Sequence, residues 1–161
     1  MNTIILYHTK TGHTLEAINP IVKGIIEAGG QAETILAEEF KKETLENYDS
    51  LIVASPCWAG SSGITGVAFP LVNILKKLPS DSLKDKLCGG IAIHAKYGGD
   101  TTLAHLKRLL LKKGCEKFKA APVIKAGVLM SLYKGPSVKK IDKEQLENYG
   151  KEFVLEASEL H

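Results

Sequence analysis

The feature that most constrains this chain is a recurring unit, a short and largely apolar run followed by a segment of helical periodicity. The runs fall at residues 3–7, 32–36, 51–54, 89–93 and 122–126 and are rich in isoleucine, valine and leucine. Runs of this kind fit strands of a parallel sheet covered on both faces. After the first, Leu15, Ile18, Val22, Ile25 and Ile26 make one apolar helix face, ended by Gly29 and Gly30. Pro20 falls inside that segment and is expected to kink the helix or shift its start. Residues 38–47 predict a short polar helix. Phe69 and Pro70 open the next, with Leu71, Ile74, Leu75 and Leu78 facing inward. Asp100 or Thr101 is expected to cap a helix carrying Leu103, Leu106, Leu109 and Leu110 and stopped by Gly114. The last helix is expected to begin at Asp142, with Gln145 completing a capping box and Leu146, Tyr149, Phe153 and Ala157 on one stripe.

Five strands alternating with five helices imply a doubly wound α/β sheet with right-handed crossovers. Such sheets bind ligands beyond the carboxyl ends of their strands, where strand order reverses. The 161 residues suit a single domain, 1–161, with one buried core.

Composition narrows the function classes. No apolar run approaches the roughly 20 residues of a membrane span, and no secretory signal opens the chain, so the cytoplasm is the expected compartment. Cys57, Cys88 and Cys115 are odd in number and widely spaced, which argues against a disulfide framework, a four-cysteine zinc site or an iron–sulfur cluster. Net charge is +3, yet Arg108 is the only arginine among 21 basic residues. The lysines, such as Lys107, Lys112, Lys113, Lys139, Lys140 and Lys143, spread along helix surfaces. That spread argues against a nucleic-acid module.

Three loops at the ligand edge carry the chemistry. The first is Thr9-Lys10-Thr11-Gly12-His13-Thr14, whose hydroxyls, glycine and helix-start amides form a cradle for an anion. It lacks the Gly-x-x-x-x-Gly-Lys pattern of a triphosphate site, and no Gly-x-Gly-x-x-Gly occurs anywhere. The second is Ser55-Pro56-Cys57-Trp58-Ala59-Gly60, continuing through Ser61, Ser62 and Gly63. It sets the only tryptophan among small residues, either to stack on a flat ring or to fold back over the core. The third is His94-Ala95-Lys96-Tyr97-Gly98-Gly99-Asp100, where glycines permit close backbone approach to a ligand.

With these loops in place, the sequence resembles the flavodoxin family. The family's phosphate loop has the form Ser/Thr-x-Thr-Gly-x-Thr, which Thr9 to Thr14 match at every fixed position. Trp58 resembles the tryptophan that the family's second loop presents to one flavin face, and Tyr97 the tyrosine of its third. The resemblance implies a flavodoxin-like three-layer sandwich with a five-stranded parallel sheet of order 2-1-3-4-5. It also implies FMN, with its phosphate in the first loop and its ring between Trp58 and Tyr97. Backbone groups of Ala59, Gly60, Tyr97, Gly98 and Gly99 would meet the polar edge of that ring. No catalytic side chain is expected, because the cofactor itself does the redox chemistry.

The implied role is electron carriage between a redox partner protein and another, or to a small-molecule acceptor, by a monomer or weak dimer without nucleic-acid or membrane partners. The alternative on the same fold is an NAD(P)H-dependent quinone or small-molecule reductase. Two departures favour it: the chain is net positive, with Lys10 and Lys96 in the binding loops, and Ala59 follows the tryptophan where many members place glycine.

Other readings fail on residue type. His8, His13 and His94 lie near the ligand edge, but no acidic residue accompanies them at metal-ligand spacing. Cys57 reads as a small residue filling a turn. A phosphatase Cys-x5-Arg loop fails at Gly63, and a response regulator lacks its aspartates at Tyr7-His8 and Ala54-Ser55. Residues 127–133 are unusually apolar for a connection; they extend the fifth strand, cover the flavin site or belong to a partner surface.

Overall fold

The structure is a computed structural model and describes residues 1–59, 65–128 and 135–159. Its strands are β1 (Asn2–Tyr7), β2 (Gln31–Leu36), β3 (Ser50–Ala59), β4 (Thr65–Val67), β5 (Leu87–His94), β6 (Lys117–Ala120) and β7 (Ile124–Lys125). Its helices are α1 (His13–Glu27), α2 (Phe69–Lys77), α3 (Gly99–Leu111) and α4 (Lys140–Ser158). The sheet order is β2-β1-β3-β5-β6, the expected 2-1-3-4-5, with β4 antiparallel to β3 and β7 parallel to β5 as additions. The order reverses between β1 and β3, so both carboxyl ends open on one edge.

Strand alternation builds the three layers. Ile5 and Tyr7 of β1 join Ile18, Ile21, Ile25, Leu146, Tyr149 and Phe153 under α1 and α4. Ile4 and Leu6 point to the other face, into a core shared with Leu71, Leu75, Leu106 and Leu110 of α2 and α3. The stripe expected on α4 is buried as read, at Leu146, Tyr149, Phe153 and Ala157.

Several local expectations are overturned. Residues 38–47 form no α-helix; 3₁₀ turns at Ala37–Glu39 and Lys42–Asn47 replace it. That stretch offers Leu45 as its one buried residue between Lys42 and Asn47, too little apolar surface to hold a docked helix. Strand β2 is not covered on both faces. It lies at the sheet edge, largely exposed or half-buried, as suits Glu33 and Thr34 within it. The fifth run, 122–126, is not one strand but is preceded by β6 and broken before β7. Pro122 stands in the break, where its missing N–H cannot join a ladder. Pro20 does not move the start of α1, which runs through it from His13 to Glu27, with Ile18, Ile21 and Ile25 fully buried on its inner face.

The expected caps also differ. Gly98, in the left-handed region at φ 97°, precedes α3 in place of Asp100 or Thr101, and α4 begins beyond Lys139 rather than at Asp142. No helix of the described residues is long and apolar enough to cross a membrane.

Candidate functional site

The first loop leaves β1 and turns into α1 through Gly12, whose φ of 87° places it in the left-handed region. A Cβ built there would meet nothing within 4 Å, so the loop encloses open space on that side. The Thr9 hydroxyl accepts the Gly12 N–H at 2.9 Å and pins the turn. One amide of the cradle is therefore engaged by the loop itself, while the first turn of α1 directs further amides to the same edge. His13 and Thr14 are buried at that turn, and Thr11 is half-buried.

His13 Nδ1 lies 3.4 Å from Glu16 Oε2. Glu16 in turn binds Lys143 Nζ at 2.8 Å and accepts the Val138 N–H at 3.3 Å, tying the loop's helix to the approach of α4. Burial pushes the Glu16 carboxyl up, but Lys143, the Val138 amide and His13 outweigh it and hold the group below the ordinary carboxylate value.

The second segment is not the loop its composition suggests. β3 runs on past Ala54 through Ser55, Pro56, Cys57 and Trp58 to Ala59. Ser55 and Pro56 pair with Ala92 and Ile93 of β5, and Cys57, Trp58 and Ala59 pair with Val67, Gly66 and Thr65 of β4. Trp58 is thus held on a strand, half-buried against the core between the sheet and α2 and α3. Ser55 Oγ accepts the Ala68 N–H at 2.9 Å and donates to the Pro56 carbonyl at 2.8 Å, fixing the return of the chain. Gly60 and residues 61–63 lie outside the described residues, as does most of the apolar 127–133 segment.

Cys57 is half-buried. Burial pushes its thiol up; the Thr102 hydroxyl opposes this and the Asp100 charge adds to it, so the sulfur stays protonated at neutral pH.

Structure joins what the sequence leaves apart. Lys10 Nζ stands over the Trp58 ring, 4.4 Å from its centroid. His8, buried at the end of β1, meets the same indole edge to face, with centroids 5.1 Å apart and planes at 85°. Its Nδ1 lies 2.8 Å from Glu38 Oε1. Glu38 reaches it because residues 37–39 curl into a 3₁₀ turn directly after β2. Sequence reasoning weighed His8 as a metal ligand and missed this contact. A histidine at a strand end was visible; its carboxylate partner carried no signal.

The third loop leaves β5 at His94. Ala95 and Gly98 are half-buried, and Lys96 and Tyr97 are exposed, Tyr97 to 55%. Among the described residues, the Trp58 ring contacts are with His8 and Lys10. Tyr97 lies in the loop after β5 and makes no ring contact among the described residues. Gly99 serves packing: a Cβ there would lie 2.0 Å from Val123 Cγ1.

A doubly wound α/β sandwich with these loops at its reversal edge is a ligand-binding class of fold. Within that class the fold is flavodoxin-like. No protein-family model and no curated protein matches the sequence. Among solved structures, an archaeal flavodoxin superposes with TM-score 0.75 at 13% identity, over 98% of this chain and 99% of its own. A flavodoxin of Streptococcus pneumonia TIGR4 gives TM-score 0.75 at 15% identity, over 97% and 99%. A flavodoxin, WrbA-like protein of Agrobacterium tumefaciens gives 0.68 at 24%, over 99% of each chain. At such identities the likeness establishes the fold.

Proposed function

We propose that this chain holds FMN non-covalently at the carboxyl edge of its sheet and carries electrons between redox partners. The observation that carries the reading is the position of Lys10 over Trp58, which brings the anion cradle and the aromatic plate into one site. The residues suit the group. Thr9, Thr11 and Thr14 supply hydroxyls, Gly12 leaves room for an approaching oxygen, and the first turn of α1 adds amides and the positive end of its dipole. Neutral donors of this kind bind a phosphate without an arginine clamp. Lys10, His13, Ser55, Pro56, Cys57, Ala59, Gly60, Ala95, Lys96, Gly98 and Gly99 complete the proposed lining beside Trp58 and Tyr97.

FMN when bound supplies the electron chemistry. The chain's part is to orient the ring with Trp58 and Tyr97, to exclude water on the Trp58 side and to set the charge around it. Its partners are redox proteins or small-molecule acceptors, and it works as a monomer or weak dimer in the cytoplasm. The absorbance spectrum of the purified protein tests the reading, followed by calorimetric titration of apoprotein with FMN and with riboflavin. Thr11→Leu should cost FMN much more than riboflavin, since only FMN carries the phosphate. Equal losses, or no heat with FMN, would end the proposal.

A second reading is an NAD(P)H-dependent FMN reductase for quinones or other small molecules. It is favoured by the pairing of Ala59 with Thr65, which holds that peptide in a strand, and by the lysine beside Trp58. Rapid NAD(P)H oxidation with a quinone acceptor would select it over the carrier.

A further inference from the structure

The two faces of the sheet carry their charge differently. On the α1–α4 side the lysines are matched by acids. Lys23 and Lys151 both pair with Glu27 and Glu147, Lys119 with Glu152 and Glu156, and Lys143 with Glu16. On the α2–α3 side, Lys76, Lys77, Lys107, Arg108 and Lys112 are exposed, and none has an ion-pair partner among the described residues. α2 has no acid, α3 has Asp100 alone in its first turn, and Asp81, Asp85 and Glu116 beyond the two helices leave these five cations unpaired.

Lys113 holds the cationic ends together, its Nζ donating to the Lys76 and Leu78 carbonyls at 2.9 and 2.6 Å. His105, a turn before Arg108, registers the field: burial, then Arg108 and Lys76, hold its ring below the ordinary value. Helix dipoles favour cations in a last turn. They do not explain the asymmetry, because the last turns of α1 and α4 carry none.

At the centre of this face is a shallow groove lined by Ala104, Lys107, Arg108, Leu111 and Lys112. The spacing i, i+3, i+4, i+7 and i+8 makes it one stripe along α3, roughly 12 Å long. Ala104 and the 45% exposed Leu111 supply its apolar part, and the other three are cations.

The chemistry of the groove selects its occupant. α3 satisfies its own backbone and offers no edge for strand addition, so a segment lying along it must be satisfied internally too, as a helix is. The cations call for carboxylates, and the apolar part for an aliphatic side chain among them. A lipid surface fits poorly: Leu106, Leu109 and Leu110 are buried, which leaves Leu111 alone in the groove to insert. A nucleic acid fits poorly too, with one arginine and no aromatic side chain in the groove. A second copy is a poor match because the acids of its α1–α4 face listed above are already engaged.

We propose that this face of α2 and α3 is a docking surface for an acidic helical segment of a partner protein. Its apolar side chain seats between Ala104 and Leu111, and its carboxylates meet Lys107, Arg108 and Lys112. The proposal stands whether or not the carboxyl edge of the sheet holds FMN.

The test is titration of the ¹⁵N-labelled full chain with a synthetic helical peptide of glutamate and alanine carrying one leucine per turn. Amide shifts should change along 76–77 and 104–112, and binding should weaken with added salt. Lys107→Glu with Arg108→Glu should raise Kd about tenfold or more, because like charges then meet across the interface. Lys140→Glu, whose side chain is 92% exposed on the opposite face, should bind as wild type. Two further peptides on the unaltered chain make the test independent of variant folding. Lysine in place of glutamate should abolish binding, and serine in place of leucine should weaken it.

No binding of the glutamate peptide would overturn the proposal, as would shift changes confined to α4 or to the loop carrying Lys10. So would an equal Kd for the doubly reversed chain, or no dependence on the leucines. Phosphatidylserine vesicles or duplex DNA bound more tightly than the peptide at the same salt, and lost in the same double variant, would give the face to lipid or nucleic acid instead. Dimerisation in sedimentation that this variant abolishes would give it to a second copy.

Discussion

The ammonium of Lys10 stands 4.4 Å from the centre of the Trp58 ring, joining the loop after β1 to the far end of β3. The two ends neighbour each other because β1 and β3 pair in parallel, with Tyr7 opposite Ala54. A cation this close to an indole is worth about 0.5–2 kcal/mol, depending on how far it is desolvated. It also marks the indole as the surface that a flat ligand ring must share or take over.

Trp58→Ala should weaken FMN binding by about 1 kcal/mol, roughly a fivefold rise in Kd. Trp58 is the only tryptophan, so indole fluorescence of wild type reports the same event directly. Unchanged affinity in the alanine variant would reject the stacking role.

Gly12→Ala should destabilise the protein by about 1–2 kcal/mol through its left-handed backbone alone, because open space surrounds the added methyl. Gly12→Asn, which tolerates that conformation, should lose less. Urea midpoints of the two variants measure the difference; equal losses would show that the turn does not depend on φ.

Gly99→Ala drives a Cβ to within 2.0 Å of Val123 Cγ1 and should cost about 1–3 kcal/mol as the contact relaxes. Val123→Ala in the same chain should recover part of that loss. A double-mutant cycle on unfolding free energies reads the coupling, and additive effects would place the strain elsewhere.

Glu16 links stability to acid. Its folded-state carboxyl lies below the ordinary value because Lys143, Val138 and His13 outweigh burial. A depressed acid stabilises the fold above its unfolded value, about 4.3, and that contribution is lost as pH falls through the folded one. Glu16→Gln should therefore be less stable than wild type at neutral pH and converge with it in acid. Parallel stability curves for the two would remove the linkage.

Much of this molecule was legible in the residues themselves. The Ile- and Leu-rich runs at 3–7, 51–54 and 89–93 are strands, and the apolar stripes expected on α2, α3 and α4 face the core, because periodicity is a local property of the chain. On α1, Ile18 and Ile25 are buried, but Leu15 and Ile26 of the expected face are 37% and 57% exposed. The glycine of the expected cradle, Gly12, does sit at the strand-to-helix junction, after Thr11 and before His13. Distance along the chain hid the rest. Only the sheet decides that β3 continues to Ala59, since its extension is held by hydrogen bonds to β4 and β5. Only packing decides that residues 37–39 curl into a 3₁₀ turn and deliver Glu38 to His8. Local pattern sets which surfaces must be buried, but contacts such as His8 with Glu38 and Lys10 with Trp58 exist only once the crossovers have brought remote segments to one edge.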